Sequence, residues 1–146
     1  MAKYTAIVLS AGKGSRMGSS VHKQYLLLCG KPVIYYPLKA FEESPVDEII
    51  LVTGEGEEEY CRKEIVEKYK LHKVTKIVKG GKERYHSVFQ GLSACEHTDY
   101  VLIHDGARPL IGQEVIRRTM DAVQKKHACI VAMPVKDTIK RVDENG

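Results

Sequence analysis

The residues that could do chemistry sit in loops that follow short apolar runs. The first is Ser10-Ala11-Gly12-Lys13-Gly14-Ser15-Arg16-Met17-Gly18, which follows Ala6 to Leu9 and is trailed by Lys23. Glycines let backbone N–H groups approach an anion and cations neutralise it, so the pattern is that of a phosphate cradle. A Walker A loop is excluded, because no glycine pair here has its spacing with a lysine after it. A dinucleotide turn is weakly matched: the third glycine comes one residue late, at Gly18, and Met17 holds its place. Three cations along one loop suit a triphosphate, or the negative charge that builds on phosphorus during transfer. A solvated basic turn is the plain alternative, since turns are glycine-rich in general.

Three further loops repeat the theme: Lys79-Gly80-Gly81-Lys82-Glu83-Arg84, Asp105-Gly106-Ala107-Arg108-Pro109 and Lys136-Asp137-Thr138. If all follow parallel strands, Lys13, Arg16, Arg84, Asp105 and Lys136 converge on one sheet edge. Asp105 is suited to hold Mg²⁺ on a triphosphate, or else is a turn or capping residue. Ser87 either caps a helix or bonds a base. With many cations, one well-placed acid and no local Ser-His-Asp or Cys-His set, the inventory fits transfer to a nucleophile that is already an anion and needs no general base. His22 and His104 have no ligand-spaced partner and read as ordinary surface or core histidines.

The elements that must position these loops alternate. Strands are expected at Ala6–Leu9, Glu48–Thr53, Val74–Val78, Tyr100–His104 and Ala128–Val135. Helices are expected from Pro32 to Phe41, with Pro37 forcing a late start or a kink, and from the acids at Glu57 to Glu59 as far as Tyr69. The second of these reads as a covering helix without chemistry, with Tyr60, Ile65 and Tyr69 as its apolar face. Two more run over Tyr85–Cys95, with Val88, Leu92 and Cys95 inward, and Gly112–His127, with Val115, Ile116, Met120 and Val123 in register. This alternation predicts an α/β fold with βαβ units and a mostly parallel sheet. Lys136 to Val142 alternates like a partly exposed ribbon and ends on Asn145-Gly146, the strongest short hairpin signal. Residues 1–146 are therefore expected to form a single nucleotide-binding domain cut at its C-terminus, with 136–146 the first half of a β-arm.

Composition sets outer bounds. The 146 residues, 43% hydrophobic and 29% charged, give an ordinary globular profile. The net charge of +4 is spread along the chain. It fits small anions better than a nucleic-acid groove, which would need a basic stripe with stacking aromatics. Cys29, Cys61, Cys95 and Cys129 lack zinc spacing and disulfide density, so reduced structural thiols are expected. With no signal peptide and no apolar run of spanning length, the expectation is a cytoplasmic protein with no membrane partner.

The loop residues, with Lys23-Gln24-Tyr25-Leu26, Ser87-Val88, Ile103-His104-Asp105-Gly106-Ala107-Arg108-Pro109 and Pro134-Val135-Lys136-Asp137-Thr138-Ile139-Lys140, closely resemble the 2-C-methyl-D-erythritol 4-phosphate cytidylyltransferase family. The resemblance implies a three-layer Rossmann-like nucleotidyltransferase domain with a protruding β-arm. It implies Mg²⁺-dependent transfer of CMP from CTP to the sugar-alcohol phosphate, with release of pyrophosphate, in non-mevalonate isoprenoid synthesis, by a homodimer when the chain is full length. It implies that Arg16 and Lys23 stabilise the α-phosphorus and that Ala11, Gly12, Lys13 and Gly14 cradle phosphates. Gly81, Arg84 and Ser87 would surround the cytosine, Asp105 beside Ala107 would face ribose and metal, and Arg108 and Thr138 would bind the sugar phosphate, Thr138 across the dimer interface. His22 departs from the usual Pro, and the family continues beyond this chain's length. Ribitol 5-phosphate cytidylyltransferase is similar but typically has Ser-Val in place of Gly106-Ala107 and Phe in place of Tyr25. A nucleotide-binding fragment without catalysis, and more remotely a dehydrogenase, are the other readings.

Overall fold

The computed structural model describes residues 1–12 and 22–144. The expected Lys13, Gly14 and Arg16 lie outside the described residues, as do Asn145 and Gly146. Strand β1 (Tyr4–Ser10) is buried at every position, as a strand covered on both faces must be. It pairs in parallel with β4 (Glu48–Thr53) on one side and β6 (Tyr100–Asp105) on the other, and β5 (Val74–Lys79) extends the sheet beyond β4 in the order β5-β4-β1-β6.

Alternation along the strands assigns the two faces. Tyr4, Ala6, Val8, Ile49 and Leu51 face one layer with Ile34, Leu38, Phe41, Cys61, Ile65, Ile116 and Met120, while Ile7, Leu9, Ile50 and Val52 face the other with Val88 and Cys95. The first layer holds α1 (Tyr35–Glu42), α2 (Glu58–Tyr60, running on as a π-helical stretch Cys61–Glu67) and α4 (Gln113–Lys126). The second holds α3 (Arg84–Ser93), which comes close to the sheet at Gly91: a Cβ there would stand 2.5 Å from Ile7 Cγ2. This is a three-layer α/β fold with a parallel sheet.

Several expectations need correction. Lys31 and Pro32 do not open a helix. They form β3 (Lys31–Pro32), antiparallel to β2 (Leu27–Leu28), because Cys29 and Gly30 both take positive φ and close a tight hairpin. Helix α1 accordingly starts late, and Pro37 falls in its first turn, where a missing N–H costs little. In α2 and its continuation Cys61 and Ile65 are buried while Tyr60 is 46% exposed, and in α3 Leu92 is exposed. Residues 128–135, read as a fifth strand, carry no ladder. After α4 the chain turns at His127 with φ 64°, no strand pairs with residues 128–135 among the described residues, and Ile130 stands 91% exposed. Residues 136–144 likewise form no strand and are exposed, since a ribbon needs a hydrogen-bonded neighbour and none is present among the described residues.

Candidate functional site

The chain runs β1, β4, β5 outward and then returns to lay β6 on the opposite side of β1. Strand order therefore reverses between β4 and β6, and a crevice opens outside the carboxyl ends of the strands at such a point. A cleft of about 390 Å³ occupies this position. Ala11, Gly12, Lys23, Gly81, Arg84, Ser87, Asp105, Ala107 and Arg108, all expected from sequence, line it, together with Leu9, Ser10, Gln24, Lys82 and Glu83. Lys136 and Thr138 do not line it and lie in the exposed C-terminal stretch.

Each wall has its own local cause. On the β6 side, Asp105 ends the strand and its carboxylate accepts from two arginines: Oδ1 from Arg84 Nε (3.2 Å) and an Arg84 terminal nitrogen (3.0 Å), and Oδ2 pairs with Arg108 Nε (3.0 Å). The Gly106 N–H donates to Leu9 O (2.7 Å), which ties this turn to β1. His104 Nε2 lies 3.0 Å from Arg108 O and its ring meets Phe41 edge-on. Burial holds the His104 pKa below its ordinary value, so the neutral ring is favoured and donates to that carbonyl.

On the β5 side, Gly80 N donates to Thr53 O (2.8 Å), and a Cβ on Gly80 would strike Ala11 and Ser87, so only glycine lets the two loops touch. Glu83, not Ser87, caps α3, in a reciprocal box with His86. Ser87 is 4% exposed and its Oγ accepts from Gly81 N (3.1 Å), which fixes the glycine turn at the cleft. Of the two roles open for Ser87 in sequence, capping is thus excluded.

On the third side, Lys23 sits exposed on a 3₁₀ turn (Lys23–Tyr25). Buried Gln24 holds this turn to β1, its Nε2 donating to Ser10 O (2.8 Å) and Gly12 O (3.3 Å). Sequence reasoning passed over Gln24, Glu83 and His104 as builders of the site. Only the placement of Gln24 beside the cation of a strand-end loop could have flagged one of them.

The arrangement gathers Lys23, Lys82, Arg84 and Arg108 with two carboxylates, Glu83 and Asp105, at the ends of parallel strands. It can bind a polyanion, and among the described residues no cluster of His, Cys, Asp and Glu is built to hold a metal without help.

Comparison with known proteins agrees. The family model for 2-C-methyl-D-erythritol 4-phosphate cytidylyltransferase matches residues 4–146. The curated protein of that name from Lachnoclostridium phytofermentans is 53% identical over 146 residues, 100% of this chain and 63% of the relative. Its counterpart from Alkaliphilus metalliredigens is 54% identical over 144 residues, 97% of this chain and 60% of the relative. The crystal structure of 4-diphosphocytidyl-2C-methyl-D-erythritol synthase from Anaerococcus prevotii has a TM-score of 0.84 and 32% identity, covering 99% of this chain and 60% of that one. The chain thus spans less than two thirds of the length of these relatives. By its fold, its cleft and a match that runs from β1 to its last residue, the chain belongs to the 2-C-methyl-D-erythritol 4-phosphate cytidylyltransferase family.

Proposed function

We propose that the protein transfers the cytidylyl group of CTP to 2-C-methyl-D-erythritol 4-phosphate, with release of pyrophosphate, as a step of isoprenoid precursor synthesis. The observation that carries this reading is the family match over residues 4–146, which includes every loop of the cleft. In this reading a phosphate oxygen of the sugar phosphate forms a bond to the α-phosphorus as the bond from that phosphorus to the pyrophosphate oxygen breaks. The nucleophile is already an anion, so positioning and charge neutralisation carry the rate and no general base is required.

Each candidate residue then has a task. The backbone at Ala11 and Gly12, with Lys13 and Gly14, cradles the phosphates. Lys23, with Arg16, offsets the charge on the pentacoordinate phosphorus. Gly81, Arg84 and Ser87 take the cytosine edge, with Ala107 beside the ribose. Arg108 takes the sugar phosphate. Asp105 is the residue that would hold Mg²⁺, and its hard oxygens in a cleft lined by cations fit an ion that takes one carboxylate and completes its shell on the substrate's phosphates. When bound, Mg²⁺ supplies charge neutralisation on the triphosphate. Arg84 and Arg108, which share Asp105 here, are then free to turn toward nucleotide and sugar phosphate.

The test is pyrophosphate release from CTP and methylerythritol phosphate with Mg²⁺, with ribitol 5-phosphate as the competing acceptor, alongside thermal shifts with CTP, UTP, ATP and GTP. Turnover with methylerythritol phosphate and the largest shift with CTP are expected. A second reading, nucleotide binding without transfer, draws on the chain's spanning only 60–63% of its curated relatives. A CTP shift without pyrophosphate release would select it. Equal shifts for all four nucleotides would leave only phosphate recognition.

A further inference from the structure

A carboxylate outside the cleft grips both sides of the Lys23 turn. Glu57, at the start of α2, has its side chain 18% exposed and three partners. Its Oε2 accepts from the Tyr25 hydroxyl (2.7 Å) and from Gly54 N (3.2 Å), and its Oε1 pairs with His22 Nδ1 (2.5 Å). His22 and Tyr25 flank Lys23 and Gln24, and Tyr25 N donates back to His22 O (2.9 Å). The Tyr25 hydroxyl also meets buried Cys61 Sγ (3.2 Å), and the Tyr25 ring meets Tyr60 edge-on at 5.1 Å. The turn that carries Lys23 is thus held to β1 through Gln24 and to the end of β4 through Glu57, which does not line the cleft.

His22 has φ −62°, the value that a proline ring enforces by itself, and ψ 138°, which proline readily adopts. Here that geometry belongs to a residue with free φ, and the contact with Glu57 restrains its side chain. We propose that Glu57 is a positioning residue for the transfer reaction: by holding the side chains of His22 and Tyr25 it fixes the backbone between them and so sets where the Lys23 ammonium stands. The inference deepens the transferase reading, and its kinetic arm rests on that reading. Misplacing a charge-stabilising group by about an ångström costs up to roughly a hundredfold in rate. The reason to keep so many bonds on one carboxylate is that a 3₁₀ turn of three residues has little rigidity of its own.

The experiment compares the native chain, Glu57→Ala and the double variant Glu57→Ala/His22→Pro by steady-state kinetics and by hydrogen exchange of the peptide over residues 22–28. In Glu57→Ala, kcat is expected to fall between roughly ten- and a hundredfold with KM for CTP within about twofold, and exchange at Tyr25 and Leu26 to rise. His22→Pro is expected to restore most of both, because the ring sets φ without Glu57. A residue that merely props up α2 would not be rescued from position 22. Unchanged exchange in Glu57→Ala overturns the proposal whatever the activity, and so does failure of His22→Pro to restore kcat or exchange. If the native chain does not turn CTP over, the transferase reading fails and the exchange comparison decides the clamp by itself. Should Glu57→Ala not fold, Tyr25→Phe, which removes one of the bonds and keeps the ring, replaces it. A smaller rise in exchange in the same peptide supports the clamp, and native-like exchange overturns it.

Discussion

At the scale of single residues, the cleft works through charge placed in advance. Lys23→Ala removes one such charge, and the usual scale for losing a preorganised stabilising group is on the order of 2.7 kcal/mol or more in kcat. KM for CTP should change less, and steady-state kinetics would show whether turnover instead survives within a few fold. His104 gives the site a dependence on acidity. Burial depresses its pKa in the folded protein below the ordinary 6.5, so the unfolded chain binds more protons below that value. Stability from this group is therefore complete above about pH 6.5 and declines as pH falls through the depressed value. Urea unfolding between pH 7.5 and 5 should show this decline in the native protein and a flatter profile in His104→Gln. Identical profiles would remove His104 from the account.

At the scale of elements, α3 is the piece on which one wall of the cleft depends, because Arg84 and Ser87 both ride on it. Its distance from the sheet is set at Gly91. Gly91→Ala gains roughly 0.5–1 kcal/mol of helix propensity but forces a methyl against Ile7 and Val52, and overpacking of this kind costs about 1–3 kcal/mol. Net destabilisation is expected in urea, with CTP affinity falling too as α3 is pushed outward. A stabilised variant would show that the helix has room to move. This contact also marks where sequence reading stopped. β1, β4, β5 and β6 were legible because apolar β-branched runs bounded by glycine loops leave few alternatives, and parallel order followed from the spacing of the helices between them. Of the residues expected to converge, Arg84 and Asp105 do so because loops after parallel strands share one edge, whereas Lys136 lies in the exposed C-terminal stretch and Lys13 and Arg16 lie outside the described residues. The Lys31-Pro32 hairpin was not legible, since Pro32 reads as the first turn of a helix and the positive φ at Cys29 falls on a residue type that seldom takes it. Nor was Glu57: its acid-rich surroundings read as a helix dipole effect, and its partners lie 32 residues away at Tyr25 and further at His22.

At the scale of the molecule, the stretch from His127 to Glu144 is the part whose apolar side chains have found no cover: Ile130, Met133, Val135 and Ile139 are 91%, 78%, 68% and 77% exposed. We propose that Lys136 to Val142 pairs as an arm in the longer form typical of the relatives and brings Thr138 to a partner subunit's sugar-phosphate site. Sedimentation equilibrium of a chain extended to that length should then give a dimer, and Thr138→Ala should weaken binding of the sugar phosphate. An active monomer, or an unchanged affinity, would refute it. The strand order has a further consequence, one of timing. β1 is the strand from which the cleft opens, and it is the first to be synthesised, yet its second neighbour is β6. The Asp99 carboxylate that accepts from Lys3 N at the entrance to this pairing lies 96 residues downstream. At about 5–20 residues per second, on the order of 5–20 seconds pass on the ribosome between the two. Until β4 is made both edges of a strand with no solvent-facing position are open, and from then until β6 is made one edge still is, while the cleft lacks Asp105 and Arg108 throughout. Slower elongation lengthens the exposure and a crowded ribosome multiplies it, so the yield of soluble protein should depend on the rate of synthesis as well as on the stability of the finished fold.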